Sequence, residues 1–431
     1  MAATLASQLL DKDMVDLVLC FSPSVIVAHD FQRVLEERTG SRMDGLLGSH
    51  GRSLTYQAML SLDGSFWALF DAHRIFVIFD EIHHCAGEQL DNANSWGQKI
   101  IKHIQGRATF TLALTGTPWR SDKIPIALSS YCEDNRIHCD FTYGLAQAVS
   151  QKVCRSPQFN VIDNDRVIFQ RSDGEAESYS SISELLKKSR CPYHSVIDND
   201  ELIIYILKQS AKKLTQLRRH YPRAGGLIVA ASVEHAHKIS ALLERHLNER
   251  ASVATYMEED ALSVINRFKE SSQPWIISVG MISEGTDIPR LRVCCHLTRV
   301  KTELHFRQVL GRILRVTDGD TNQSYLYMPA EPSLIDFAKR ISQEIPESVV
   351  VRRETMSTSD SPQITIEAPN HQRAGEFGNI TFGRQLSTGR TFSDEPSSSA
   401  TSALSRAYDS TLNIFGRFKQ ELLQLSYGSM H

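Results

Sequence analysis

Apolar residues in this chain fall into two alternating series separated by a less regular stretch. In the first series, residues 16–21, 74–80 and 109–115 are short strand candidates, of which 74–80 is a nearly unbroken apolar run. Runs of this length and density read as parallel strands covered on both faces. Between them, residues 25–38, 55–62 and 95–105 place apolar side chains at helical spacing. The alternation predicts a parallel sheet with crossover helices. A long helical stretch at 198–219 opens the second series. Strands are then predicted over 226–231, 252–257, 275–279, 291–297 and 324–328, and helices over 233–247, 260–269, 302–314 and 332–345.

The stretch from 146 to 197 breaks the rhythm. It holds two strand candidates, 158–162 and 166–171, and then an acidic, serine-rich patch, and it reads as a linker or insertion. From 351 to 402 Ser, Thr, Pro, Gly and Arg dominate, a composition that predicts disorder. Apolar spacing returns over 403–431 (Leu404, Tyr408, Leu412, Phe415, Phe418, Leu422, Leu425) and predicts an amphipathic tail helix. That helix would dock on a partner or on the body of the protein, or remain a marginal tail. The fold expected is therefore α/β: two tandem parallel-sheet domains, 1–145 and 198–350, followed by a disordered, partly helical tail.

Composition narrows the class. The 431 residues are 41% apolar and 23% charged, ordinary for a globular chain, and the formal net charge is −3. Any nucleic-acid affinity must come from local basic surface. No apolar run reaches about 18 residues, so no membrane span is expected. The first ten residues lack a secretory pattern. Eight irregularly spaced cysteines read as reduced thiols, and a cytoplasmic location is expected. Cys132, His138, Cys139 and Cys154 contain no C-x-x-C pair, so zinc is not favoured over ordinary cysteines.

The candidate chemistry sits at predicted strand ends, where ligands collect in parallel sheets. Asp80 and Glu81 close the 74–80 run, with His83 completing D-E-x-H. An aspartate there can hold Mg²⁺, and a neighbouring glutamate can orient water. Thr115-Gly-Thr117-Pro-Trp-Arg follows the next run, a rigid turn with hydroxyls toward the same crevice. In the second half, Gly280–Pro289 follows a strand and offers Ser283, Gly285, Thr286 and Asp287. Gln308, Gly311, Arg312 and Arg315 share one helix face, while Val309, Leu310, Ile313 and Leu314 make the other side apolar. Two arginines beside a glycine suit close approach to a phosphate.

Taken together, these residues resemble the motifs of superfamily 2 helicases and translocases, the DExH or DEAD/DEAH-box group that includes restriction-system motors and phage-encoded helicases. Ser22-Pro23-Ser24 resembles motif Ia, and Thr55-Tyr-Gln57 the strand-contacting motif after it. Asp80–His83 resembles motif II, Thr115–Pro118 motif III, and Gly226–Ser232 motif IV. Gly280–Pro289 resembles motif V, and Gln308–Arg315 matches the Q-x-x-G-R-x-x-R of motif VI. The resemblance implies two RecA-like domains with ATP and Mg²⁺ between them. Asp80 would hold Mg²⁺, Glu81 would activate water, and His83 and Gln308 would couple the halves. Arg312 and Arg315 would act as arginine fingers, with Thr115, Thr117, Gly285 and Asp287 completing the nucleotide site. Ser22, Pro23, Ser24, Thr55, Gln57, Ser232, Ser283 and Thr286 would track the backbone of a single DNA or RNA strand.

The family's phosphate loop, G-x-G-K-[ST], occurs nowhere in these residues, and residues 1–10 read like the helix that follows it. Binding of the β- and γ-phosphates is expected to be weak without it. Three readings stand: an ATP-dependent helicase or translocase in amino-terminally incomplete form, a nucleic-acid-binding remnant without ATPase, and an interaction subunit recruiting a nuclease or methyltransferase.

Overall fold

The computed structural model describes residues 1–120, 122, 124–133, 137–170, 175–255, 261–280, 287–316, 323–343, 349–355, 411–414 and 416–427. Helix α1 (Ala2–Asp11) leads into β1 (Leu17–Ser22), α2 (Val25–Thr39) and β2 (Gly51–Thr55). Three short helical turns, α3 (Tyr56–Met59), α4 (Gly64–Trp67) and α5 (Leu69–Ala72), precede β3 (Ile75–Phe79). Helix α6 (Ser95–His103) then connects to β4 (Phe110–Ala113). The four strands form one parallel sheet in the order β2-β1-β3-β4.

Strand β3 shows why the apolar run has no polar alternation. Phe76 and Ile78 pack with α1 and α2, whereas Ile75, Val77 and Phe79 pack with Tyr56, Trp67 and Ile100 on the other face. Both faces are covered, so all five residues are buried. At the sheet edge β4 differs: three of its four residues are exposed, Phe110 among them.

Helix α7 (Leu145–Ser150) leads to β5 (Ser156–Asn164), β6 (Val167–Gln170), β7 (Ala176–Tyr179), α8 (Ile182–Lys188) and α9 (Tyr193–Ile197). The long α10 (Asp200–Arg218) opens a second alternating series: β8 (Gly225–Ala230), α11 (Val233–Leu247), β9 (Ala251–Thr255), α12 (Ala261–Glu270) and β10 (Trp275–Val279). It continues through β11 (Leu291–Leu297), α13 (Glu303–Ile313), β12 (Gln323–Pro329), α14 (Pro332–Gln343) and β13 (Val349–Thr355). Strands β14 (Thr411–Ile414) and β15 (Phe418–Tyr427) complete the elements. The second sheet has the order β13-β15-β5-β12-β11-β8-β10-β9, and β14-β6-β7 form a small antiparallel sheet. The parallel α/β pair expected from the alternation is thus present.

Two expectations are corrected. The 146–197 stretch is not a free linker: β5 lies inside the second sheet, parallel to β12 and antiparallel to β15. Local sequence shows that a strand exists there, but not which sheet it joins. Polar interior residues hid the membership: buried Asn160 accepts from Gln420 Nε2 at 2.8 Å, a partner 260 residues away. Where it is described, the tail is strand, not helix. The flank of β5 away from β12 provides a hydrogen-bond ladder, which outweighs the weak helical spacing of 403–431. Apart from 351–355 in β13, the stretch expected to be disordered lies outside the described residues. No helix among the described residues is long and apolar enough to cross a membrane.

Candidate functional site

The chain turns sharply where β3 ends. Glu81 adopts a left-handed backbone, φ 51°, a conformation non-glycine residues seldom take and one that clusters at functional sites. Asp80 is pinned on both sides of its peptide. Its N–H donates to the Phe21 carbonyl at 2.9 Å, and its carbonyl accepts from the buried Tyr56 hydroxyl at 2.8 Å. Burial, then the neighbouring Glu81 charge, pushes the Asp80 carboxyl up to about 6. Burial also pushes Glu81 upward, but its hydrogen bond to His83 and the charge of that ring outweigh it, so the net shift is down.

His83 organises the rest of this wall. It is 3% exposed, and its Nδ1 lies 3.2 Å from Glu81 Oε2, 2.9 Å from Thr115 Oγ1 and 3.4 Å from Thr117 Oγ1. Thr115 Oγ1 also receives the Thr117 N–H at 3.0 Å. The His83 carbonyl accepts from Arg120 Nη1, and Arg120 in turn pairs with Asp122. His83 Nε2 is buried without a partner among the described residues. The motif-III-like turn therefore clamps the D-E-x-H turn from behind.

The opposite wall comes from the second sheet. Helix α13 is capped by Thr302, which accepts the His305 N–H, and its buried stripe is Phe306, Val309, Leu310 and Ile313. That stripe turns Gln308 and Arg312 toward the first sheet, whereas Arg315, expected on the same helix face, lies beyond the end of α13 and bridges to Cys154. A Cβ added at Gly311 would meet open space, so the helix face beside the arginines is accessible. Arg315 Nη1 pairs with Asp287 Oδ1. The two halves meet where the Arg307 guanidinium lies 5.4 Å from the centre of the Trp119 ring.

Between the walls lies a cavity of about 660 Å³. Asp80 and Glu81 line one side, and Asp287, Gln308, Arg312 and Arg315 line the other. Pro23 and a face of α2 made of Val27, Asp30, Phe31 and Val34 contribute as well. His83, Thr115 and Thr117 stand behind Glu81. Of the other site expectations, Ser22 is fully buried, so its hydroxyl is unavailable to a surface ligand. Ser24, Thr55 and Ser232 spend their side chains capping α2, α3 and α11, and Gln57 is exposed. Ser283, Gly285 and Thr286 lie outside the described residues. Cys132 and Cys139 are exposed, and the described residues contain no cluster able to hold a metal through three His, Cys, Asp or Glu side chains. Tyr56 lies inside the Thr55-Tyr-Gln57 string, but its burial and its hydrogen bond to the Asp80 carbonyl are contacts that local sequence does not show.

Residues 209–317 match the helicase conserved C-terminal domain. An uncharacterized protein of Mycobacterium tuberculosis, Rv2917, is 31% identical over 321 residues, which cover 73% of this chain and 51% of that protein. The chain therefore spans about half the length of the curated relatives it matches. Among solved structures, the ATP-dependent Type ISP restriction-modification enzyme LlaBIII bound to DNA is 13% identical at a TM-score of 0.45. The likeness covers 79% of this chain and 27% of that one. S. cerevisiae Dbp5 bound to RNA and ADP BeF3 is 10% identical at a TM-score of 0.39, over 77% of this chain and 75% of that one. The match places a helicase conserved C-terminal domain on the second of the two parallel α/β sheets.

Proposed function

We propose that the chain is the motor region of an ATP-dependent helicase or translocase acting on DNA. The observation that carries this reading is the cavity in which paired carboxylates from one sheet face Arg312 and Arg315 from the other. Phosphoryl transfer needs those charges on opposite sides of the phosphates. The ATP-binding half would be residues 1–145, and the second half 146–355 with 411–427.

The residues present fit Mg²⁺. Asp80 and Glu81 are adjacent, partly buried carboxylates, and the raised Asp80 carboxyl marks a site that gains from a cation. One or two carboxylates, with phosphate and water, are what Mg²⁺ usually takes. Bound there, it would neutralise charge on phosphate oxygens. Glu81, held by His83, would orient the attacking water. Arg312 and Arg315 would stabilise charge on the transferred group, Arg315 leaving Asp287 to do so. Gln308 would meet the His83 Nε2 as the halves close. Pro23, Ser24 and Gln57 would lie along the strand backbone. Cleavage or methylation of the substrate would fall to a nuclease or methyltransferase partner.

The lack of a G-x-G-K-[ST] string in these residues favours a second reading, a nucleic-acid clamp without turnover. Steady-state ATP hydrolysis, measured with single-stranded DNA, single-stranded RNA or neither, tests both. These 431 residues should bind a single strand weakly, with strong salt dependence, and turn over little ATP. A chain supplied with a G-x-G-K-T loop ahead of α1 should show DNA-stimulated turnover. Stimulation by RNA alone would change the substrate, and no turnover in the extended chain would leave the clamp.

A further inference from the structure

The segment joining the two sheets contains a residue outside every motif. Arg155 stands one position before β5 and is 0% exposed. A sealed guanidinium must be hydrogen-bonded to be tolerated. Its Nη1 donates to the Leu291 carbonyl at 2.6 Å and the Ile313 carbonyl at 3.0 Å, and its Nη2 donates to the Pro289 carbonyl at 3.0 Å. Its backbone N–H donates to the Leu314 carbonyl at 2.6 Å. Cys154 forms an antiparallel bridge with Arg315, and Val153 lines the cavity.

The identity of the acceptors gives the arrangement its meaning. Ile313 and Leu314 end α13, where a helix leaves carbonyls without internal partners and carries the negative end of its dipole. Such carbonyls are commonly met by a local glycine turn or a nearby cation. Here the cation arrives from 158 residues away. Pro289 and Leu291 lie just after Asp287. One planar fork therefore ties the exit of α13 to the exit of the 280–289 run. Arg315 and Asp287, which pair with each other, extend from those two exits. A lysine keeps the charge and has three donors, but they radiate from one nitrogen and cannot match acceptors that Arg155 meets from two.

We infer that Arg155 is a positioning residue for the basic wall of the cleft, setting where Arg312 and Arg315 stand relative to Asp80 and Glu81. The role of those arginines toward phosphate rests on the proposed function; the bracing itself does not. Because Arg155 also sits on the connection between the sheets, a displacement of one sheet against the other is delivered directly to the end of α13.

The test uses the full chain as R155K, R315A and the double variant. Equilibrium binding of MgATP should weaken about tenfold in R155K, the cost of misplacing one charged hydrogen-bonding group. The double variant should bind within about twofold of R315A alone, because both changes remove one interaction. Losses that multiply, or R155K binding like the unmodified chain, would overturn the proposal. Amide hydrogen exchange gives the second readout: 287–291 and 312–316 should exchange about tenfold faster in R155K, with β8 and β10 unchanged. A uniform rise across the second sheet would show a purely structural role and also overturn it. If these 431 residues bind too little MgATP to titrate, the same variants are titrated in a chain supplied with a G-x-G-K-T loop ahead of α1; no binding there would cost the motor reading its nucleotide site, and the exchange pattern alone would then decide for or against Arg155.

Discussion

On the carboxylate wall of the cleft, His83 finds its threonine partners 32 and 34 residues away, and Tyr56 reaches Asp80 across 24. On the basic wall, Arg155 meets its acceptors across 134 to 158 residues. The first wall is braced by side chains of its own sheet. The second is braced from the connection between sheets. A locally braced wall is set as soon as its sheet forms, so its carboxylates are preorganised. A wall braced from the connection keeps its geometry only while both sheets hold that connection in place. On the proposed function, the difference would give the carboxylates a fixed position and the arginines a conditional one.

The largest expected effect probes the fixed wall. In a chain supplied with a G-x-G-K-T loop, Glu81→Gln should lower steady-state ATP turnover by at least about 100-fold with no loss of folding, the scale of a lost general base. A smaller loss would mean that Glu81 is not the group acting on water. Next in size is Asp80→Asn. The folded-state carboxyl is raised to about 6 from an ordinary 3.8, so the native state binds more protons between those values. Its contribution is greatest below pH 3.8 and is lost as pH rises through 6. The asparagine variant should therefore be more stable than the parent at pH 7, by about 1–2 kcal/mol after discounting for solvent, and no more stable at about pH 3.5. Urea denaturation at both pH values checks the sign. Tyr56→Phe removes one buried hydrogen bond and should cost about 1 kcal/mol by the same method. A neutral result would show that the Asp80 turn does not depend on its local brace. The smallest effect belongs to the other wall: Asp287 is 51% exposed in its pair with Arg315. Asp287→Asn should change stability by no more than about 0.5 kcal/mol. A larger cost would mean that the arginine wall is braced by this pair as well as by Arg155.

Much of this was legible in the chain itself, and the exceptions share a cause. Apolar runs such as 75–79 announce buried parallel strands because both of their faces are covered. The residues around Asp80 and Arg312 could be picked out because strand ends and one-sided helix faces are local patterns. Membership of β5 in the second sheet could not, because its partners β12 and β15 lie far along the chain. Neither could the tail strands, whose conformation is imposed by the flank of β5. Arg155 gave no signal for the same reason: one arginine before a polar strand becomes meaningful only once α13 has folded over it. Apart from Tyr56, whose partner is 24 residues away, what escaped depends on contacts across the whole chain.

The placement of β15 has a consequence for how the molecule comes into being. Residues 418–423 pair with 159–164, inside a sheet whose other strands, β13 included, were synthesised well before. On a ribosome the four strands of the first sheet are all available once β4 has emerged. The second must hold one flank of β5 open until about 250 further residues have been added, a delay that long-range strand pairing imposes on any chain. During that interval the segment carrying Arg155 already exists, but the strand that closes over its sheet does not. Among the described strands, the last to be added is therefore next to the connection that carries Arg155, and a stalled or shortened chain would carry the carboxylate wall intact beside an unfinished partner.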